Sequence, residues 1–405
     1  MTATRTPPPL LADPRLTPAR ALAHSTDEDT LREQLELVAI PAPPFGEQRR
    51  GAHVLERFRE LGLVLVWRDE VGNVLGMLPG AAEEDGAPVV VAAHLDTVFA
   101  ADTDLTPRRD DGRIYAPGIT DNARGLAGML AVARIMAADR VRTYHPVVFV
   151  ATVGEEGPGD LRGAKHLFRD GAPLRSASAF IALDGSGLRR IVHRAIGSRR
   201  LRVEAEGPGG HSWADRGAPN PITALGMAVA ELATLPPPHP ERSALTVTRI
   251  GGGRSVNAIP EDAWMELDLR SEVARVLPRM EDSVRAVVAR AVEAESARRR
   301  AGTDPLQARV TVIGDRPSGE TPPRAPLVAL ASAVTQELGA RPELVGSSTD
   351  ANVPMSLGIP AIAIGVGGDS GGIHTADEWY SNEQGALGVE RALLIIAAAA
   401  GLADG

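Results

Sequence analysis

The chain contains no cysteine. That removes disulfides, thiolate nucleophiles and every cysteine-based zinc site together, so a metal here must be held by histidines and carboxylates. Nine histidines are available for that task. Aromatic residues are only 3% of the sequence, too few to furnish stacking platforms for single strands or RNA loops. A basic excess is missing as well: 43 Lys and Arg stand against 52 Asp and Glu, a net charge of -9. A polyanion binder needs a positive footprint, so nucleic acid is not an expected partner. No apolar run approaches the roughly 18 residues of a membrane span. The opening stretch MTATRTPPPLLADPR also lacks the apolar segment of a secretory signal. The expectation is a cytoplasmic protein with no membrane contact, beginning with a disordered proline-rich tail over residues 1–24.

What the chain does have is length and hydrophobic content: 405 residues, 43% hydrophobic, sufficient for two or three domains. Helical spacing marks 27–40, behind the Ser25, Thr26, Asp27 capping cluster, and 47–61. A helix over 121–138 opens at Asp121 or Asn122. Short apolar runs at 88–93 (PVVVAA), 146–153 (PVVFVATV), 179–183 (AFIAL) and 360–365 (PAIAIG) read as buried strands. Strands alternating with helices describe a layered α/β domain with a mixed central sheet, whose ligand site lies beyond the carboxyl ends of the strands. The middle of the chain alternates instead. Strands at 200–205, 244–250, 263–269 and 309–313 surround helices at 219–235 and 273–291, in the order of a ferredoxin-like α+β unit. The expected division is a catalytic domain at 25–196 and 314–405, with an inserted lid or dimerisation domain at 197–313.

Each apolar strand of the first domain finishes in a residue that can carry chemistry. PVVVAA ends in His94, Leu95, Asp96. Two residues apart on a strand share a face, and a carboxylate beside a ligand histidine fixes its tautomer. Alone, such a pair is more often a cap and a satisfied loop histidine. Asp121 at a helix start is equally a cap or a bridge between metals. PVVFVATV runs into Glu155 and Glu156, adjacent anions that are costly to bury unless a cation relieves them. AFIAL ends in Asp184, and PAIAIG leads through a glycine-rich stretch to His374. If these strands share one sheet, two histidines and three carboxylates converge at one rim. That set suits a pair of borderline divalent ions, zinc above all, with cobalt or manganese as alternatives. Of the remaining histidines, His24 and His239 read as solvated, and His53 and His166 as satisfied on helix faces. His145 lies at the wrong end of its strand, and His193 reads as structural or as lining the cleft.

Taken together, HLDTV at 94–98, DNARG at 121–125, GEEG at 154–157, LDGS at 183–186, GGHSW at 209–213, GGGRSVNAIP at 251–260, DLRS at 268–271 and HTADEW at 374–379 resemble one family. It is the dimetal metallopeptidase family of peptidase T, glutamate carboxypeptidase, acetylornithine deacetylase and succinyl-diaminopimelate desuccinylase. The resemblance covers the chain from about residue 27 onward. It implies that His94 and Asp184 hold one metal, that Glu156 and His374 hold the other, and that Asp121 bridges them. It further implies that Asp96 orients His94, that Glu155 is the general base, and that His211 reaches an active site across a dimer interface. Asn257 and Arg270 are the implied contacts to a substrate carboxylate. The implied activity is amide hydrolysis in di- and tripeptides by a metal-activated water, in a homodimer. The alternatives are an N-acyl amino acid deacylase or N-carbamoyl hydrolase with the same metals, and a non-catalytic peptide-binding relative.

Overall fold

The computed structural model describes residues 10–81, 86–138, 141–236 and 242–403. The chain folds as two compact units, one formed by Met1–Ala195 with Glu320–Gly405 and the other by Ile196–Gly319.

A nine-stranded mixed sheet organises the larger unit. At its centre, strands Val147–Thr152, Val89–His94, Ala179–Leu183 and Ala361–Ile364 lie side by side in that order, all parallel. Three are buried along their whole length on both faces, and Ala361–Ile364 likewise, which is why they read as continuous apolar runs. Strand Val74–Leu78 pairs antiparallel with Val147–Thr152, and Arg190–Ala195 antiparallel with Ala361–Ile364. The sheet is therefore mixed. Alternate side chains serve two cores. Val89, Val91 and Ala93 pack with helices Ala123–Ala138 and Gly385–Ala399, whereas Val90 and Ala92 pack with Leu161, Phe168 and Met355 on the opposite face.

The expected disordered tail is corrected where residues are described. Leu10–Ala12 forms a 3-10 turn and Thr17–Ser25 a helix. Pro18 sits within the first turn, where its missing N–H costs nothing. Leu16, Ala19 and Ala23 then enter the main core. Small alanines permit this close packing, which the proline cluster before them conceals in the sequence.

In the smaller unit, strands Gly197–Glu206, Ser243–Gly252, Asp262–Ser271 and Gln307–Arg316 form one antiparallel sheet. Spatial order places Ser243–Gly252 and Gln307–Arg316 at its edges. Helices Pro221–Leu232 and Val276–Ala297 cover one face around Leu201, Val203, Met265, Leu267 and Met280. Strand, helix, strand, strand, helix, strand is the ferredoxin-like order. The last strand continues to Arg316, so the unit closes at Gly319 and not at 313.

Candidate metal centre

Parallel pairing puts the carboxyl ends of four central strands at one rim of the sheet. His94 is the last residue of its strand, and Asp184 follows Leu183 directly. Glu155 and Glu156 lie just beyond Thr152, and His374 follows on the loop after Ile364. Asp121 precedes helix Ala123–Ala138.

The structure brings five expected ligands together as two groups that share Asp121: His94, Asp121 and Asp184, and Asp121, Glu156 and His374. One oxygen of Asp121 lies 2.9 Å from His94 Nε2, and its other oxygen lies 3.1 Å from His374 Nε2. His374 Nε2 is also 2.8 Å from Glu156 Oε1, and His94 Nε2 is 4.0 Å from Asp184 Oδ1. Asp121 is freed for this role because its neighbour does the capping. Asn122 Oδ1 accepts the N–H of Gly125, and its amide donates to the Leu183 carbonyl. Gly125 must be glycine, since a Cβ there would stand 2.0 Å from Asn122 Oδ1 and 2.3 Å from the Leu183 carbonyl oxygen.

Hydrogen bonding fits these groups to cations. His94 Nδ1 donates to the backbone carbonyl of Asp96 at 3.0 Å, which leaves Nε2 with a lone pair. That nitrogen faces Asp121 Oδ1, a buried oxygen with no hydrogen-bond partner. Two acceptors facing each other at 2.9 Å need a proton or a metal between them.

Electrostatics point the same way. Burial and the charge of Asp121 push the Asp184 carboxyl up to about 7. Burial also opposes ionisation of Asp121, yet the histidines on either side hold it well below the usual carboxylate range. Hydrogen bonds to Asp121 and Glu156 raise His374 to about 10. Burial opposes charge on His94, but the Asp121 contact raises it well above the ordinary histidine value. Each of these shifts favours positive charge beside Asp121 and Glu156, the charge a divalent ion would supply.

Asp96 acts differently from the expectation. Its carboxylate is 3.8 Å from His94 Nδ1 and accepts instead from the backbone N–H groups of Glu155, at 2.9 Å, and Glu156, at 2.8 Å. It therefore holds the GEEG turn, while its main-chain carbonyl fixes the His94 tautomer. Burial pushes the Asp96 carboxyl up to about 6. Glu155 is buried at this rim, next in sequence to the candidate ligand Glu156.

The three remaining expected residues lie in the smaller unit. His211 and Asn257 are neighbours there: strand Gly210–His211 pairs with Ala258–Ile259, and the Ser212 N–H donates to the Asn257 carbonyl. Both are exposed. His211 Nδ1 accepts the N–H of Trp213 at 3.1 Å, so a neutral ring carries its proton on Nε2. Arg270 stands at the far end of strand Asp262–Ser271, bound to Asp268 at 2.7 Å. It is not brought together with Asn257.

Four of the other histidines have ordinary partners, whereas His145 Nδ1 is buried without one among the described residues. His53 contacts Glu33 at 3.1 Å, His166 contacts Glu70 at 2.8 Å, and buried His193 donates to the Thr321 carbonyl. His24 is exposed, as expected, and also contacts Glu390 at 2.7 Å from helix Thr17–Ser25. His239 lies outside the described residues. In a third acidic group, Glu33 with Glu36 and His53, Glu33 is already paired with Arg57 at 2.8 Å.

Sequence reasoning missed three buried charges that build the rim. Arg50 donates to the carbonyls of Ile40 and Leu95, bracing the HLD turn. Arg124, inside the DNARG stretch, donates to the carbonyls of Val366 and Gly385 and so holds the start of the glycine-rich loop. Glu378, inside HTADEW, accepts from the backbone of Gly118, Thr120 and Asp121. Burial pushes its carboxyl up to about 7, against those three N–H groups. A charged residue within an otherwise matched motif was the available signal for the last two.

Comparison with known proteins agrees with this geometry. The Escherichia coli cytosol non-specific dipeptidase is 27% identical over 269 residues, 60% of this chain and 53% of that protein, so the chain spans about half of that relative's length. The succinyl-diaminopimelate desuccinylase of Burkholderia mallei is 26% identical over 282 residues, 64% of this chain and 73% of that protein. The crystal structure of the Bacillus cereus aminopeptidase PepT superposes with a TM-score of 0.71 at 25% identity, covering 92% of this chain and 99% of that one. The sequence profile of peptidase family M20/M25/M40 matches residues 90–398, a span that holds His94, Asp121, Glu156, Asp184 and His374. The chain belongs to peptidase family M20/M25/M40.

Proposed function

We propose that the chain is a dimetal hydrolase that cleaves the amide bond of di- and tripeptides. The observation that carries this reading is Asp121, whose two carboxylate oxygens each face a different histidine at the end of the parallel sheet. His94 and Asp184 would hold one divalent ion, Glu156 and His374 the other, and Asp121 both, with zinc the best match to this donor set and cobalt or manganese the alternatives. Bound at such a centre, paired divalent ions acidify a water and polarise the scissile carbonyl. The protein's own part is proton movement. Glu155 takes a proton from the attacking water and delivers it to the leaving amine, restoring its carboxylate at each turnover. Asp96 keeps Glu155 and Glu156 in register through their backbone N–H groups. His211 donates from Nε2 to the developing oxyanion and Asn257 binds the substrate carboxylate, while Arg270, at the far end of its strand and bound to Asp268, does not share that contact with Asn257.

Similarity to a dipeptidase and an aminopeptidase supports peptides as substrates. Similarity to a desuccinylase supports the second reading, an N-acyl or N-carbamoyl amino acid hydrolase with the same ligands. Among the described residues no helix is long and apolar enough to cross a membrane, in keeping with a cytoplasmic enzyme. The working form in this reading is a homodimer. Support comes from the edge strand Ser243–Gly252, which borders an apolar groove of about 650 Å³ lined by Val229, Leu232, Leu245, Val247 and Met280. A panel of di- and tripeptides against N-acetyl, N-succinyl and N-carbamoyl amino acids separates the readings. Turnover of the peptides is the predicted result; cleavage of the acyl set alone moves the assignment to a deacylase.

A further inference from the structure

Two segments meet beside the candidate ligands, and one side chain joins them. Glu378 is fully buried, four residues after His374. Its Oε2 accepts the N–H of Gly118 at 2.8 Å. Its Oε1 accepts those of Thr120, at 2.8 Å, and Asp121, at 3.1 Å. Its own carbonyl accepts the N–H of Ala116, and its N–H donates to the Thr375 carbonyl. The adjoining strand Trp379–Ser381 pairs with Arg113–Tyr115, so the two segments run together up to the turn.

We propose that Glu378 is a positioning residue that locks the turn carrying Asp121 to the loop carrying His374, thereby setting the distance between two ligands of one metal. The argument is one of acceptor count. Three N–H groups converge on one side chain, and only a carboxylate offers two oxygens with no donor among them. Glutamine has the same shape but would turn an NH2 group against at least one backbone N–H, leaving a buried donor unsatisfied. A buried anion beside the anionic Asp121 is a costly way to hold a turn, and a divalent cation next to Asp121 offsets that cost.

The inference rests on the dimetal reading, and cobalt titration of the metal-free protein tests the two separately. Absorption in the visible follows each equivalent as it binds. Wild type is expected to bind two equivalents. Glu378→Gln is expected to bind the equivalent held by Glu156 and His374 about 10- to 100-fold more weakly, with a smaller effect on the other. Glu378→Asp keeps the charge but is one methylene shorter, so it should fall between the two; it carries the test if the glutamine variant does not fold. Val328→Ala, a truncation in the main core remote from the turn, measures what lost stability alone does to binding. Unchanged affinity for both equivalents in a folded Glu378 variant overturns the proposal, as does an equal loss in Val328→Ala. No cobalt binding by wild type overturns the dimetal reading itself.

Discussion

At the scale of single residues, the centre depends on separating jobs that sequence alone leaves merged. Asp121 was equally a helix cap or a metal bridge; Asn122 takes the cap and leaves Asp121 both oxygens. In the proposed mechanism Glu155 and Glu156 are neighbours with divergent tasks, one for the proton and one for the metal. Glu155→Gln should therefore retain two metal equivalents and lose about 10²- to 10⁴-fold in kcat, read from paired metal analysis and steady-state kinetics. Near-normal turnover with metal bound would remove Glu155 as the base. Motif residues of the centre were legible because strand ends and polar clusters coincide. The exact contact of Asp96 was not, because it depends on the backbone path after His94, where a carbonyl takes the place expected for the carboxylate.

At the scale of elements, the four central strands stand out in sequence because burial on both faces makes them unbroken apolar runs. Strand Val64–Arg68 does not: among the described residues it pairs only with Val74–Leu78, and it is largely exposed, so its composition follows no strong alternation. Helix Gly385–Ala399 is hidden for the opposite reason. It is buried nearly all round, and the contrast of polar and apolar faces disappears. Helices Asp27–Val38 and Gln48–Glu60 are tied by Glu33, which contacts Arg57 at 2.8 Å and His53 at 3.1 Å. Burial opposes ionisation of Glu33, yet these two partners bring its carboxyl below the usual range. A depressed native value means the contribution is present above the unfolded value of about 4.3 and is lost as pH falls through the native one. Glu33→Gln should lower the urea midpoint at pH 7 and flatten its decline between pH 6 and pH 3. An unaltered acid limb would show that the pair contributes nothing.

At the scale of the whole molecule, one chain carries two kinds of sheet for two purposes. The parallel strands bring the candidate ligands to one rim, and in the proposed homodimer the antiparallel unit offers its edge strand to a second copy. Lysine within an edge strand blocks pairing, so Val247→Lys should convert a species of twice the chain mass into monomer in light scattering. Should His211 serve the partner's centre, that variant also loses peptide turnover while keeping both metals. A wild-type monomer at micromolar concentration would end the dimer reading. The central claim, however, is the paired metal site, and its most direct measurement is dipeptide hydrolysis by chelator-stripped protein as zinc is returned. The account predicts no turnover without metal and a rate that rises to a plateau at two equivalents per chain. Full activity after complete metal removal, or a plateau at one equivalent, would contradict it.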